Sequence, residues 1–283
     1  MASCSSPAQQ DNDLKLSENW FIQSSAVICH DGAALSDGSV GCEGWYKASV
    51  PSTVMGVLTA ENGEYEDAFV GRNYAEIDRE RFDTAWWYRT SFDVPALKEG
   101  QRAELAFDGV SYRADVWLNG VQIASADEFY GPFRQFSFDV TDALKESNNL
   151  AVRIHRWQKG EFNIGFVDWN PRPVDESMGI FRPVWLKYSN EVAMKNPVVR
   201  SKVDTVSFDE AWLTVEATLC NASDRNISGK LCGKYEEGSF SYPVELAAGE
   251  TKTVSLTADQ IKRLHVKNPR LWWCHNLGNP EMY

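Results

Sequence analysis

Residues 166–185 bring together side chains that could bind a ligand. The segment holds the carboxylates of Asp168 and Asp175, the amide of Asn170 and the indole of Trp169. Its prolines disfavour a helix and favour an extended path, and a strand-like stretch follows at once. We therefore predict a rigid polar loop at the rim of a β-structure, where binding residues are often found. The alternative is a proline-rich connection whose charges are merely solvated.

The aromatic content suits carbohydrate binding. Eleven tryptophans occur among 283 residues, and an indole face can stack on the apolar face of a sugar whose edge still forms hydrogen bonds. The alternative is that tryptophans fill the cores of β-sandwiches. We expect this core role for Trp86, Trp87, Trp117 and Trp185.

The net charge of −12 argues against two classes of partner. Nucleic acids and anionic membranes both attract basic surfaces, so no nucleic-acid partner is predicted. An acidic protein would suit a cationic sugar, although most acidic proteins are simply soluble.

Cysteine and histidine form no metal pattern, and no metal or other cofactor is predicted. Among the six cysteines, Cys29 could form a disulfide with Cys42, and Cys220 with Cys232. The alternative is that these cysteines are free thiols. No apolar run is long enough for a transmembrane helix. Cys4, followed by serines in a polar tail, suggests a bacterial lipoprotein in the periplasm or anchored to the outer membrane; an incidental cysteine in a disordered tail is the alternative.

Short strands with turns between them predict an all-β chain. In residues 85–94 apolar and polar side chains alternate, which is typical of a half-buried strand. Asn119-Gly120 between apolar segments predicts a hairpin, because both positions tolerate positive φ. Residues 54–60 favour a short helix capped by Ser52 or Thr53. Residues 31–44 are rich in glycine, serine and aspartate and predict a loop.

A change in composition near Asn190 predicts two domains. The expected division is a flexible tail over residues 1–13, a jelly-roll sandwich over 14–190 and a smaller immunoglobulin-like sandwich over 191–283. Five strands are expected in the second domain, with the first over residues 198–206. This domain is expected to be incomplete at its C-terminus.

Several ordered motifs together resemble glycoside hydrolase family 2. They are Tyr112-Arg-Ala-Asp-Val-Trp-Leu-Asn-Gly120, Asp139-Val-Thr-Asp142, Gly179-Ile-Phe-Arg-Pro-Val184 and Asn268-Pro-Arg-Leu-Trp-Trp273. The resemblance implies a galactose-binding-like jelly roll followed by an immunoglobulin-like domain. Asp168-Trp-Asn-Pro-Arg-Pro173 is most similar to the branch of exo-β-glucosaminidases and β-mannosidases.

The resemblance implies a supporting role for this chain. Family members carry both catalytic carboxylates on a (β/α)₈ barrel, so no catalytic residue is assigned here, and the expected partners are a β-linked glycan and the barrel of the same polypeptide. Asp168, Trp169, Asn170 and Asp175 would shape the subsite for the terminal sugar, and Arg72 and Asn73, in the loop over residues 69–73, would border it. Arg172 would either line this subsite or pair with a carboxylate of the barrel.

Two main functions follow as hypotheses. The first is the non-catalytic N-terminal part of a retaining, exo-acting β-glycosidase that is inactive by itself. The second is a free-standing carbohydrate-binding or cell-surface adhesion module. A pair of purely structural sandwiches is a third possibility.

Overall fold

The computed structural model describes residues 13–162, 169, 171–236 and 238–283. The chain divides into two compact units, Met1–Tyr188 and Ser189–Tyr283, close to the change in composition at Asn190. Cys4 lies outside the described residues, so lipid attachment stays a prediction. The described residues are nearly all in strands and connections, which confirms the all-β fold class.

The first unit is a jelly-roll sandwich of two main sheets. Its strands are β1 (Leu14–Lys15), β2 (Trp20–Ser24), β3 (Tyr46–Ala48), β4 (Ser52–Thr53), β5 (Trp86–Asp93), β6 (Arg102–Phe107), β7 (Arg113–Leu118), β8 (Val121–Ala124), β9 (Phe136–Asp139), β10 (Ser147–His155), β11 (Gly179–Ile180) and β12 (Val184–Ser189). A four-stranded sheet has the order β1-β12-β6-β9, a six-stranded sheet has the order β3-β2-β5-β10-β7-β8, and β4 pairs with β11.

Strand β5 is buried on both faces over its first five residues, Trp86 to Thr90. The alternation had predicted a strand with one solvated face, and the strand itself is confirmed. A small apolar cluster of Leu35, Trp87 and Ala151 covers the outer face, which explains why the polar face expected there is absent.

A short helix, α1 (Gly32–Ser36), supplies that cover. Asp31 caps it by accepting a hydrogen bond from the Ala34 N–H at 2.9 Å, and Leu35 is fully buried. The prediction of a plain loop over residues 31–44 is therefore wrong for this helix. The glycine and serine content concealed the apolar contact of Leu35, which only the tertiary fold creates.

Two local predictions in this unit are confirmed. Asn119 and Gly120 have φ values of 53° and 88°, and they connect β7 to β8 in a hairpin. The predicted short helix is present as α2 (Val54–Gly56), which continues into a π-helical turn, Val57–Glu61. Thr53 caps α2, since its hydroxyl accepts a hydrogen bond from the Gly56 N–H at 3.1 Å.

Three short 3₁₀ segments complete the regular structure of the described residues. They are Asn73–Glu76 and Glu80–Phe82 in the first unit and Lys262–Leu264 in the second.

The second unit is an immunoglobulin-like sandwich with two sheets. Its strands are β13 (Val192–Val203), β14 (Glu210–Asn221), β15 (Ile227–Tyr235), β16 (Gly238–Leu246), β17 (Thr251–Leu256) and β18 (His265–Lys267). Strand β14 pairs with β13 on one side and with β17 and β18 on the other, while β15 and β16 form a two-stranded sheet.

Strand β13 begins earlier than the predicted start at Val198. Its pairing with β14 is interrupted between Lys195 and Val198 by a register shift, where Asn196 has a φ of 50°. The bulge and Pro197 break the two-residue pattern, which is why the first half of the strand was missed.

Other expectations concern the whole described chain. No helix in it is long and apolar enough to cross a membrane. Its residues include no cluster of three or more metal-ligating side chains. The five described cysteines form no disulfide, so neither considered pair is present. Trp86 and Trp87 are core residues as expected, whereas Trp117 and Trp185 are half-buried.

Candidate functional site

The C-terminal part of the polar segment is fixed to two loops of the first unit. Gly179 in β11 pairs with Thr53 in β4 and exchanges two backbone hydrogen bonds with Ser111, at 2.8 and 2.9 Å. A β-carbon at Gly179 would lie 2.7 Å from the Ser52 carbonyl oxygen and from the Tyr88 hydroxyl. Only glycine fits this position, so the segment passes very close to its neighbours.

Asp175 is buried and holds the segment to α2. Its Oδ2 accepts a hydrogen bond from the Met55 N–H at 2.9 Å, and its Oδ1 accepts one from the Ser177 N–H at 3.0 Å. Burial raises the pKa of this carboxyl group, and the backbone N–H donors only partly oppose the rise. The sugar contact predicted for Asp175 stays a prediction; in the described residues both oxygens are engaged by the backbone.

Arg172 and Glu176 form an ion pair within the segment. The Arg172 Nε lies 2.7 Å from a carboxylate oxygen of Glu176, and the Arg172 guanidinium stacks 5.2 Å from the ring centre of Trp157. Glu176 and Ser177 both adopt positive φ. Arg172 thus has an ion-pair partner within its own loop.

The loop over residues 69–73 adjoins this segment, mainly through Tyr74. The Tyr74 hydroxyl donates to the Arg172 carbonyl at 3.2 Å and accepts from the Val174 N–H at 2.9 Å. An Arg79 guanidinium nitrogen donates to the same Arg172 carbonyl at 3.2 Å. Two loops that lie about 100 positions apart in sequence therefore form one surface.

Arg72 and Asn73 are both exposed beside Tyr74. The Asn73 side chain donates to the Asp67 carbonyl at 2.9 Å, which shapes its own loop. Their predicted role at the border of a sugar subsite stays a prediction.

Trp169 presents its indole to solvent, with 83% of its surface exposed. Phe69, 82% exposed, lies on the adjoining loop, where its ring stacks on Tyr74 at 5.8 Å. Asp168 and Asn170, the other predicted contacts next to Trp169, lie outside the described residues. The described surface thus offers two exposed aromatic rings, one on each of the two loops.

Sequence reasoning missed a second polar cluster, centred on Asp115. Its Oδ2 accepts from the Arg153 Nη2 at 2.9 Å and lies 2.7 Å from the His155 Nε2; its Oδ1 accepts from the Ala126 N–H at 2.8 Å. Burial alone would raise the Asp115 pKa, but these hydrogen bonds outweigh it and lower the pKa from 3.8 to about 2. Asp115 and Arg153 are cross-strand partners, a register that the sequence does not reveal.

Stacking adds to this cluster. The Arg153 guanidinium lies 5.4 Å from the ring centre of Trp87 and 5.8 Å from that of Trp117. The cluster therefore connects β7, β10 and the outer apolar face of β5, and we assign it a structural role.

The fold and this surface together define a class: a jelly-roll domain and an immunoglobulin-like domain, with a braced aromatic loop on the first. The glycosyl hydrolase 2 galactose-binding domain-like family matches residues 20–161, and the glycosyl hydrolases family 2 matches residues 192–283. The chain belongs to glycosyl hydrolase family 2, as the resemblance implied.

Curated relatives include two bacterial exo-β-D-glucosaminidases. The chain is 36% identical to that of Streptomyces avermitilis, over 93% of this chain and 29% of the relative. It is 32% identical to that of Amycolatopsis orientalis, over 93% of this chain and 25% of the relative. The chain thus spans less than a third of the length of these relatives.

Solved structures agree with the fold. The crystal structure of the Amycolatopsis orientalis exo-chitosanase superimposes with a TM-score of 0.85 at 31% identity, over 94% of this chain and 30% of that one. A β-glucuronidase of Bacteroides uniformis, at 19% identity and a TM-score of 0.67 over 92% of this chain and 28% of that one, supports the fold alone.

Proposed function

We propose that this chain is the non-catalytic N-terminal part of a retaining, exo-acting β-glycosidase and that it shapes the subsite for the terminal sugar. The observation that carries the proposal is the exposed indole of Trp169, close in sequence to the segment that Asp175 holds to α2. Trp169 would stack on the sugar, while Asp168 and Asn170 would form hydrogen bonds with its polar groups.

A supporting role fits the chemistry of the described carboxylates. Retaining hydrolysis needs two carboxyl groups about 5 Å apart across the scissile bond. Asp175 is engaged by backbone N–H groups, Glu176 by Arg172 and Asp115 by Arg153 and His155. We therefore assign no catalytic residue to this chain and attribute the chemistry to a barrel domain of the same polypeptide.

We propose glucosamine as the preferred terminal sugar and mannose as the runner-up. The two bacterial relatives above are named exo-β-D-glucosaminidases, whereas the relative from Rattus norvegicus named β-mannosidase is 25% identical. The acidic balance of the chain also suits an ammonium-bearing sugar.

A chimeric enzyme tests the proposal. This chain replaces the matched portion of the Streptomyces avermitilis exo-β-D-glucosaminidase, and hydrolysis of chromogenic β-D-glucosaminide and β-D-mannoside is measured. We expect the chain alone to be inactive and the chimera to prefer the glucosaminide. A folded but inactive chimera, or turnover by this chain alone, would refute the proposal.

In the same chimera, Trp169→Ala tests the subsite. We expect KM to rise about threefold to tenfold, since an aromatic contact contributes about 0.5–1.5 kcal/mol. Val121→Ala, at a position that is 53% exposed on β8, serves as the control and should leave KM unchanged. Equal effects of the two substitutions would remove Trp169 from the site.

The exposed rings of Trp169 and Phe69 also favour a second candidate, a free-standing carbohydrate-binding or adhesion module. Titration calorimetry of this chain with glucosamine and mannose separates the two functions. Micromolar affinity without any other domain would support the module, and weak or absent binding would support a subsite that needs the barrel.

A further inference from the structure

Phe69 presents an aromatic ring that the proposed function leaves without a role. Its side chain is 82% exposed, and its ring stacks on that of Tyr74, with centroids 5.8 Å apart and planes inclined by 21°. The stack supports the Phe69 ring, while most of the ring stays open to solvent. An open aromatic face with this support is suited to stack on the apolar face of a sugar.

The loop holds this ring in place. Ala68, the residue before Phe69, is 3% exposed and packs in the apolar core of the first unit. The Asp67 carbonyl accepts hydrogen bonds from the Val70 N–H at 3.0 Å and from the Asn73 side chain at 2.9 Å. A ring on a loop that is already ordered loses little conformational freedom when it binds a ligand.

Tyr74 joins Phe69 to the segment that carries Trp169. The hydroxyl of Tyr74 binds the backbone of Arg172 and Val174, at 3.2 and 2.9 Å. Trp169 lies three residues before Arg172, and three residues of extended chain span about 10 Å at most. The two exposed rings therefore belong to one surface, and their separation is within reach of a short oligosaccharide.

The charge around Phe69 favours a cationic ligand. Residues 61–83 carry eight carboxylates and three guanidinium groups, a net charge of −5. Glu66 and Asp67, within three residues of Phe69, are both exposed. A β-linked chain of glucosamine carries an ammonium group on every unit, so this loop attracts such a chain more strongly than it attracts a neutral glycan.

We infer that Phe69 is the stacking platform for the sugar that follows the terminal one in a β-linked glucosamine chain. The inference rests on the proposed function, because it takes Trp169 as the contact of the terminal sugar. The second sugar lies with its apolar face on the Phe69 ring, and the carboxylates of Glu66 and Asp67 attract its ammonium group. Since an exo-acting enzyme releases one unit at a time, this contact selects glycan chains over glycosides with a small aglycone.

The test uses two substrates of the chimera with the Streptomyces avermitilis enzyme. One is a β-linked glucosamine disaccharide, which has a second sugar, and the other is methyl β-D-glucosaminide, whose methyl group is too small to stack on Phe69. Release of glucosamine is measured for both, so no aromatic aglycone takes the place of the second sugar. The variants are Phe69→Ala, which removes the ring, and Phe69→Trp, which keeps an aromatic face.

Phe69→Ala should lower kcat/KM for the disaccharide about threefold to tenfold more than it lowers kcat/KM for methyl glucosaminide, since an aromatic contact is lost. Phe69→Trp should restore the preference for the disaccharide. Val70→Ala, on the same loop and at a position that is 62% exposed, is the matched control. It should leave the ratio of the two substrates unchanged.

Removal of charge tests the cationic nature of the ligand. Glu66→Gln combined with Asp67→Asn should raise KM for the disaccharide only about twofold at low ionic strength, because exposed charge pairs contribute little. This effect should shrink at high salt, which screens the attraction, whereas the effect of Phe69→Ala should remain. Measurement of KM at both ionic strengths therefore separates stacking from charge.

A second measurement uses this chain alone. Ligand-observed nuclear magnetic resonance follows saturation transfer from the chain to the glucosamine disaccharide, which detects weak binding. In Phe69→Ala the transfer to the second sugar should fall by more than the transfer to the terminal sugar. Phe69→Trp should retain the transfer to both sugars.

Three results would overturn the inference: equal losses for the two substrates in Phe69→Ala, equal effects of Phe69→Ala and Val70→Ala, or a KM for the disaccharide that the charge substitutions leave unchanged at low salt. Equal losses together with a lower melting temperature of the chimera would identify the catalytic barrel as the occupant of this surface. Any of these results in an active chimera refutes only this inference. An inactive chimera refutes the proposed function, and the saturation transfer then decides whether Phe69 binds sugar.

Discussion

Gly179 is the residue of the candidate site at which the absence of a β-carbon matters most. Its φ is 150°, and a β-carbon would approach both the Ser52 carbonyl and the Tyr88 hydroxyl within 2.7 Å. The surrounding atoms are backbone or deeply buried, so they have little room to move.

Gly179→Ala should therefore lower the free energy of unfolding by about 3 kcal/mol, because overpacking costs about 1–3 kcal/mol and backbone strain adds about 1–3 kcal/mol. Chemical denaturation followed by circular dichroism measures the loss. Gly63→Ala separates the two causes, since Gly63 has a φ of 68° but no atom within 4 Å of the added carbon; it should cost only about 1 kcal/mol. Similar losses in the two variants would contradict the proposed clash.

Residue types and local spacing predicted part of the candidate site and missed what braces it. The prolines indicated a stiff loop, and the mixture of an indole with polar side chains indicated binding. The contact of Tyr74 with Val174 spans 100 positions in sequence, and no local pattern encodes it. The backbone contacts of Asp175 depend on α2, whose position is also set by the tertiary fold, so they could not be predicted from the sequence.

At the scale of elements, the pairing of β7 with β10 sets up an acid-sensitive cluster. Asp115 faces Arg153, His155 and the Ala126 N–H, and its pKa of about 2 lies below the value of 3.8 expected for the unfolded chain. A depressed carboxylate pKa stabilises the folded state above the unfolded value. That stabilisation is lost as the pH falls from 3.8 to about 2.

Asp115→Asn should accordingly flatten the loss of stability in this acidic interval and lower stability at neutral pH. Thermal denaturation at a series of pH values measures both effects. Asp142→Asn, at an exposed position, is the control and should keep the pH profile of the parent chain. A parent-like acid profile in Asp115→Asn would show that this cluster does not contribute to the acid response.

Element prediction succeeded where the cause is local. The hairpin at Asn119-Gly120 follows from the need for positive φ at two successive positions, and α2 follows from the cap at Thr53. The first half of β13 and helix α1 were missed because a bulge and a buried Leu35 depend on their sheet neighbours. Burial of both faces of β5 is likewise a property of three layers, not of its own alternation.

At the scale of the whole molecule, each unit has its own apolar core. Leu105 lies fully buried in the core of the first unit, and Leu256 lies fully buried in the smaller core of the second. A smaller core buries less apolar surface and contributes less stabilisation.

We expect calorimetry to resolve two unfolding transitions, the lower one belonging to the second unit. Leu256→Ala should lower the temperature of only the transition of the second unit, and Leu105→Ala that of only the transition of the first unit. Each substitution costs about 2–5 kcal/mol in its own core. A single transition that both substitutions lower would show that the units unfold together.

The cover over β5 has a practical consequence for anyone who alters this protein. Residues 31–44 have the composition of a surface loop, the kind of place where a tag or a protease site is usually inserted. Helix α1 in this segment instead closes the apolar layer over Trp87. An insertion near Leu35 would open that layer to water, whereas the turn at Gly63, with open space around it, is a safer place for a label.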